Sequence, residues 1–147
     1  MMNHPMLRHF TLACVLTSTL TGANFAIPTR IQQARFDYCF TGGGVNCVVD
    51  GDTFWVNREK VRIADIDAPE THQPRCPQER TLGNAATRRL HALLNAGPFR
   101  LASIDRDTDR YGRKLRIIVR SGQSLGEKLV AEGLAREWDG ARRSWCT

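Results

Sequence analysis

Between Val48 and Thr71 the chain reads V-V-D-G-D-T-F-W-V-N-R-E-K-V-R-I-A-D-I-D-A-P-E-T. Asp50, Asp52, Asp65, Asp67 and Glu70 crowd around Arg62, the one arginine of the stretch that lies between apolar strand residues. Carboxylates gathered like this repel one another unless a cation or a paired base sits among them. Asp52 and Asp67, with a nearby main-chain carbonyl and water, would make the all-oxygen shell that suits calcium. The ligands would come from separate strands, which sets the arrangement apart from an EF-hand loop. Glu70 beside such a cation could take a proton from water, a role worth roughly 10²–10⁴-fold in rate. Arg62 lies between Val61 and Ile63, where an unpaired guanidinium is costly. It either pairs with an aspartate or is aimed at a substrate phosphate. Together the set reads as a calcium-dependent nuclease site. Singly, each residue has a plainer reading: turn-capping aspartates, a solvated loop glutamate and, for Arg113 in Arg110-Tyr111-Gly112-Arg113, a surface arginine.

These side chains need strands and turns to hold them. Val45 to Val49 and Thr53 to Val56 are β-branched and aromatic segments broken at Asp50-Gly51-Asp52, a turn signal. Asn57 to Lys60 is the next polar turn, Val61 to Ile66 a third strand, and Asp67-Ala68-Pro69 its end. Strict alternation puts Arg62 and Asp67 on opposite faces, so the two converge only if the chain bends near Asp67-Ala68-Pro69. Gln78 to Asn95 reads as a helix with an apolar stripe of Leu82, Ala86, Leu90, Leu93 and Leu94, stopped by Gly97-Pro98. Phe99 to Ile104 and Leu115 to Val119 are further strands, the second alternating Leu115, Ile117 and Val119 with Lys114, Arg116, Ile118 and Arg120 in a half-exposed pattern. Ser124-Leu125-Gly126-Glu127 is a capping box opening a short helix that buries Leu125, Leu129, Val130 and Leu134. Residues 27 to 38 show no clear period, and Thr41-Gly42-Gly43-Gly44 lacks the spacing of a phosphate-binding loop. The expected fold is α+β, mainly β: a five-stranded OB-fold barrel with a helix between strands three and four and a C-terminal helix. Successive hairpins argue against a doubly wound α/β sheet.

The 147 residues suffice for one domain. A formal charge of +6, with arginine well ahead of lysine, favours an anionic partner in general terms. Met1 to His9 carries Arg8 and no acid; Phe10 to Leu20 is apolar but short for a bilayer span, and small residues follow up to Ala23 and Ala26. That is the layout of a signal peptide over residues 1–26, with a frayed N-terminal helix as the plainer alternative. Its removal takes Cys14 with it and leaves Cys39, Cys47, Cys76 and Cys146. Four cysteines in an exported domain read as two disulfides with three connectivities. The favoured one pairs Cys39 with Cys47 as a local clasp and Cys76 with Cys146, tying the chain end to the loop after the acidic cluster. Zinc is disfavoured, because no C-x-x-C pair exists and His72 and His91 lack ligand spacing.

Four stretches, V-V-D-G-D-T-F, V-R-I-A-D-I-D-A-P-E-T, D-R-Y-G-R and S-L-G-E-K-L-V-A-E-G-L-A, occur in an order that resembles the staphylococcal nuclease (thermonuclease) family over about residues 45 to 138. The resemblance implies that Asp52, Asp67 and the main-chain oxygen of Ala68 bind Ca²⁺. It makes Glu70 the general base and gives Arg62 and Arg113 the phosphate, with Asp50 in an outer shell. The best-known member has threonine at the Ala68 position, where only a main-chain oxygen is required. Asp109 and Tyr111 fall in the family's nucleotide-contacting loop. DNA and/or RNA is the implied substrate, cut to leave 5′-hydroxyl and 3′-phosphate ends. The resemblance also implies a third helix that this chain largely lacks, for which the Cys76–Cys146 bridge would compensate. The expectation is a domain over residues 27–147, monomeric, periplasmic or secreted, with no stable membrane association once the signal is removed. Two alternatives are a non-catalytic OB-fold module that binds nucleic acid and an exported protein that binds calcium for stability alone. A degenerate module would lack the glutamate or an arginine; Asp52, Arg62, Asp67, Glu70 and Arg113 are all present.

Overall fold

Asn57 and Arg58 both adopt positive φ, 51° and 67°, and this two-residue turn starts the organisation of the sheet. Left-handed geometry at both positions matches the twist of an antiparallel pair. It joins β4 (Thr53–Val56) to β5 (Glu59–Ile63), with Val56 opposite Glu59 and Thr53 opposite Arg62. The computed structural model describes residues 30–40 and 43–147, so the expected signal peptide over residues 1–26 lies outside the described residues.

The remaining elements are β1 (Ile31–Gln32), β2 (Asp37–Tyr38), β3 (Cys47–Val48), β6 (Ile66–Asp67), α1 (Pro77–Asn95), β7 (Phe99–Thr108), β8 (Lys114–Arg120), β9 (Gln123–Ser124), α2 (Leu125–Ala131) and β10 (Arg136–Glu137). The architecture is mainly β with two helices. One eight-stranded sheet runs β1-β7-β8-β5-β4-β3-β2, with β9 added on β8, and β10 pairs β6 in a separate ribbon. A closed ring of five strands was expected; among the described residues the path is open, and no ladder joins its ends. The expected strand over Val45 to Val49 is regular only at Cys47–Val48.

The connection from β5 to β8 passes through β6, α1 and β7, and the two strands pair in parallel with Arg62 opposite Leu115. The N-terminus of α1 is capped by Cys76, whose sulfur accepts from the Glu79 N–H at 3.4 Å, and proline occupies the first turn. Leu90, Leu93 and Leu94 are buried as expected, whereas Leu82 is only half-buried. In its place Gly83 and Glu79 pack inward. Ser124 caps α2 by accepting from the N–H groups of Gly126 and Glu127, as its sequence pattern indicates.

The core joins the sheet to both helices through Phe54, Val61, Ile63, Leu90, Leu94 and Leu129. Phe36, in the stretch without a readable period, is 1% exposed. Its ring meets Phe54 at 6.0 Å and Phe99 at 5.8 Å. Asn95 secures it by accepting from the Phe36 N–H at 2.9 Å and donating to the Phe36 carbonyl at 3.1 Å. The expected alternation of β8 also gives way, because Leu115 and Ile118 are its buried residues. Being an odd number of positions apart, they use both faces of the strand. Leu115 lines an open cleft, and Ile118 enters the core. Among the described residues no helix is long and apolar enough to cross a membrane.

Candidate active site

The acidic stretch is brought together by one reversal of chain direction and one bend. The turn between β3 and β4 is closed by the Val49 and Asp50 N–H groups donating to the Thr53 carbonyl at 2.9 and 3.2 Å. Asp50 accepts from the Asp52 N–H at 3.0 Å, which aims Asp52 inward. The bend falls at Ala64–Asp65, between β5 and β6, ahead of the expected position at Asp67-Ala68-Pro69. It allows Arg62 and Asp67 to meet despite strand alternation.

Asp52, Arg62 and Asp67 are then 4%, 5% and 5% exposed. The Arg62 Nη2 lies 3.5 Å from Asp52 Oδ2 and 4.0 Å from Asp67 Oδ1. Its shorter bonds go to main-chain carbonyls: Nη1 donates to Ile63 and Nη2 to Ile66, both at 3.2 Å. The Trp138 ring lies 4.8 Å from the guanidinium. Arg62 is therefore immobilised by the strand end and by a stacked indole, while the carboxylates retain acceptor capacity.

Burial pushes the Asp67 carboxyl upward, and the negative charge of Asp52 adds to this; Arg142 and Arg62 pull less strongly the other way. Burial pushes Asp50 up to about 8, with the Asp52 charge contributing in the same direction. A cluster of this kind is short of positive charge, and a hard cation would relieve it. Asp52, Asp67 and the Ala68 carbonyl fit such an ion by donor type. The Ala68 N–H points to Asp52 Oδ2 at 3.5 Å, which sets the Asp67–Ala68 peptide beside that carboxylate; the Ala68 carbonyl belongs to the next peptide. Among the described residues no group of three or more His, Cys, Asp or Glu side chains is disposed to hold a metal. The candidate set therefore rests on two carboxylates and a main-chain oxygen.

Arg113 stands just ahead of β8. Its Nε donates to Asp109 Oδ2 at 2.7 Å and its backbone N–H to Asp109 Oδ1 at 3.0 Å. Its Nη1 reaches Thr53 Oγ1 at 3.3 Å, and that hydroxyl donates to Asp52 Oδ1 at 2.7 Å. A continuous polar chain thus links Arg113 to the carboxylate cluster. Burial works to raise Asp109, but the bonds from Arg113 and from the Tyr111 N–H outweigh it and hold the carboxyl below its ordinary range.

Arg62, Glu70 and Arg113 line one cleft of about 820 Å³, together with Tyr111, Trp138 and Arg142. Glu70 faces it from the loop before α1. Helix α1 approaches that loop closely at Gly83, where a Cβ would stand 2.8 Å from the Pro69 oxygen and 3.0 Å from the Glu70 oxygen. Asp65 turns away from the cleft and accepts from the Ser124 hydroxyl at 2.6 Å, a structural role beside α2. A wider concavity on another flank, between residues 33–40 and the end of α1, does not include these acids.

The sequence reading missed Arg142. Its Nη1 donates to Glu70 Oε1, and its Nε lies 3.9 Å from Asp67 Oδ1. The Cys76–Cys146 bridge, formed as expected alongside Cys39–Cys47, holds the tail against the loop that follows Glu70. That connectivity was the available signal: it brings the residues before Cys146 back to the acidic stretch.

The family model described as staphylococcal nuclease homologue matches residues 60–144. The match takes in Arg62, Asp67, Ala68, Glu70 and Arg113, with Asp52 ahead of it. The chain is 42% identical over 94 residues to the SPbeta prophage-derived endonuclease YokF of Bacillus subtilis (strain 168), an alignment covering 60% of this chain and 31% of the relative. It is 38% identical over 94 residues to endonuclease YncB of the same organism, covering 60% of this chain and 44% of the relative. It is 34% identical over 96 residues to the thermonuclease of Staphylococcus intermedius, covering 63% and 56%. The matched region therefore spans about a third to a little over half of each of these relatives.

Proposed function

Because the chain belongs to the staphylococcal nuclease homologue family, we propose that it is a calcium-dependent nuclease hydrolysing phosphodiester bonds of DNA and/or RNA. The observation that carries the reading is the convergence of Arg62, Glu70 and Arg113 on one cleft, above the buried pair Asp52 and Asp67. The relatives named as endonucleases and thermonuclease add support from an independent direction.

In this mechanism Glu70 is the general base and takes a proton from a water aligned with the scissile phosphorus–oxygen bond. Arg62 and Arg113 donate to the phosphoryl oxygens, where negative charge grows in the transition state. Both are already fixed, Arg62 by the Ile63 and Ile66 carbonyls and Arg113 by Asp109, so little reorganisation is required. Calcium held by Asp52, Asp67 and the Ala68 carbonyl would supply further positive charge against the same oxygens.

The finer architecture belongs to the same proposal. The strands β3, β4, β5, β8 and β7 are consecutive in the sheet path and would be the five staves of an OB-type barrel. A signal peptide over residues 1–26 ahead of a monomeric domain at 27–147, periplasmic or secreted, is supported by the two disulfides.

The test is purified protein with DNA and with RNA, in calcium or in a chelator, beside Glu70→Gln. Cleavage in calcium, its loss in chelator and a fall of at least ~10²-fold in the variant are expected. Cleavage that persists in chelator, or unimpaired in Glu70→Gln, overturns the mechanism. Binding without cleavage in every condition favours the non-catalytic OB-fold module.

A further inference from the structure

We propose that Arg142 is a third phosphate-binding residue of the cleft, carried there by the chain's irregular tail; the inference rests on the nuclease reading above. From Trp138 to Thr147 the chain has no helix or strand to fix it. What fixes it are side chains. Cys146 is bonded to Cys76, the cap of α1. Arg136 lies 3.6 Å from the centre of the Trp145 ring and donates to the Ser144 carbonyl at 3.0 Å. Trp145 is 8% exposed.

Between these anchors and Trp138, Arg142 extends into the cleft and ends beside the Glu70 and Asp67 carboxylates. Its side chain is 47% exposed, open to a ligand entering from solvent. The planar guanidinium has five N–H donors. Among the described residues only Nη1 makes a hydrogen bond, to Glu70. The remaining N–H groups suit the fork geometry of a phosphate. Arg62 and Arg113 line the same cleft, so a phosphodiester seated between them meets a third cation from the tail side. The neighbouring Arg143 makes a useful contrast: like Arg142 it pairs with a carboxylate, here Asp139, but it is not part of the cleft lining.

The experiment measures binding of a single-stranded DNA oligonucleotide across a salt series, in a Glu70→Gln background so that substrate survives. Steady-state cleavage is followed in parallel in the otherwise wild-type chain. Arg142→Ala is expected to weaken binding ~10-fold or more and to flatten the salt dependence by about one phosphate contact. In cleavage, KM should rise. Arg142→Lys should restore the salt slope more fully than the affinity, because it keeps charge and loses the fork. Arg143→Ala should leave both near wild type.

Unchanged affinity and slope in Arg142→Ala overturn the proposal, as does faster cleavage, which would make Arg142 a cap on Glu70. An equal loss in Arg143→Ala would reduce the effect to bulk charge and overturn it too. These failures leave the nuclease reading standing as long as the wild-type chain cleaves. A wild-type chain that neither binds nor cleaves nucleic acid defeats the underlying reading instead.

Discussion

Asp109 and Arg113 grip each other at both ends of one tight loop: the Arg113 side chain donates to one carboxylate oxygen at 2.7 Å, and its own backbone N–H donates to the other at 3.0 Å. The aspartate thus sets the conformation of the loop and the direction of the arginine together. Asp109→Ala should lower kcat by ~10-fold or more through a displaced Arg113, but less than the ~10²-fold expected for Arg113→Ala. The two changes should also be strongly non-additive, since both act through one guanidinium. Fully additive losses in a double-mutant cycle would disprove the coupling.

Glu79 is fully buried and paired with Arg75 through contacts of 2.6 Å to its N–H and 3.0 and 3.2 Å to its guanidinium. The Arg75 side-chain bonds, opposed by burial, hold the Glu79 carboxyl below its ordinary value of 4.5. A carboxyl depressed by folding stabilises the protein above its unfolded value and loses that contribution as pH falls through the lower folded one. Stability should therefore drop as pH goes below about 4.5, and Glu79→Gln should flatten that part of the curve. At neutral pH the substitution should cost about 1–3 kcal/mol. Urea unfolding of both proteins across pH checks this, and parallel acid limbs would refute it.

Gly83 lets α1 approach the loop that carries Glu70. Alanine gains about 1 kcal/mol of helix propensity over glycine in an exposed helix. Here its methyl would press on the Pro69 and Glu70 carbonyls at 2.8 and 3.0 Å, and main-chain atoms cannot swing aside. Gly83→Ala should destabilise the fold by about 1–3 kcal/mol. It should also reduce turnover ~10²-fold, a loss typical of catalytic groups displaced by about 1 Å. Melting curves together with kcat measured well below the transition decide the matter. A variant as stable and as active as the parent would show that the loop yields easily.

Cys76 and Cys146 fasten the tail to the cap of α1. The serine pair Cys76→Ser/Cys146→Ser should weaken oligonucleotide binding about as much as Arg142→Ala does. It should add little further when combined with that change. Cys39→Ser/Cys47→Ser, in the other bridge, should leave binding close to wild type even where it lowers the melting temperature. Equal binding losses from both bridges would point to general destabilisation.

Much of the site was legible because its parts are local. Asp52, Arg62, Asp67 and Glu70 stand close together in the chain, and the turns that arrange them carry their own signatures, such as Asn57-Arg58 between β-branched runs. The bend at Ala64–Asp65 was misplaced because one aspartate inside an apolar run is a weaker turn signal than the proline downstream. Phe36 reached the core without any periodic neighbour to announce it; its burial depends on Asn95, at the far end of α1. Arg142 was invisible for a related reason. Its partner Glu70 lies 72 residues away, and nothing in an irregular tail reveals where a side chain will point. Strand β8 deceived in another manner, serving the core with one face and the cleft with the other.

The parallel pairing of β5 with β8 has a consequence for when the candidate site is assembled. Arg62 and Leu115 come opposite each other across an intervening β6, α1 and β7. Such distant pairing is slow to form, because the intervening loop must close before the contact is gained. Until then the two arginines belong to separate pieces of an unfinished chain. On the nuclease reading, the proposed site is incomplete until that ladder closes. On the nuclease reading, cleavage in a refolding experiment should appear no earlier than the closing of that ladder.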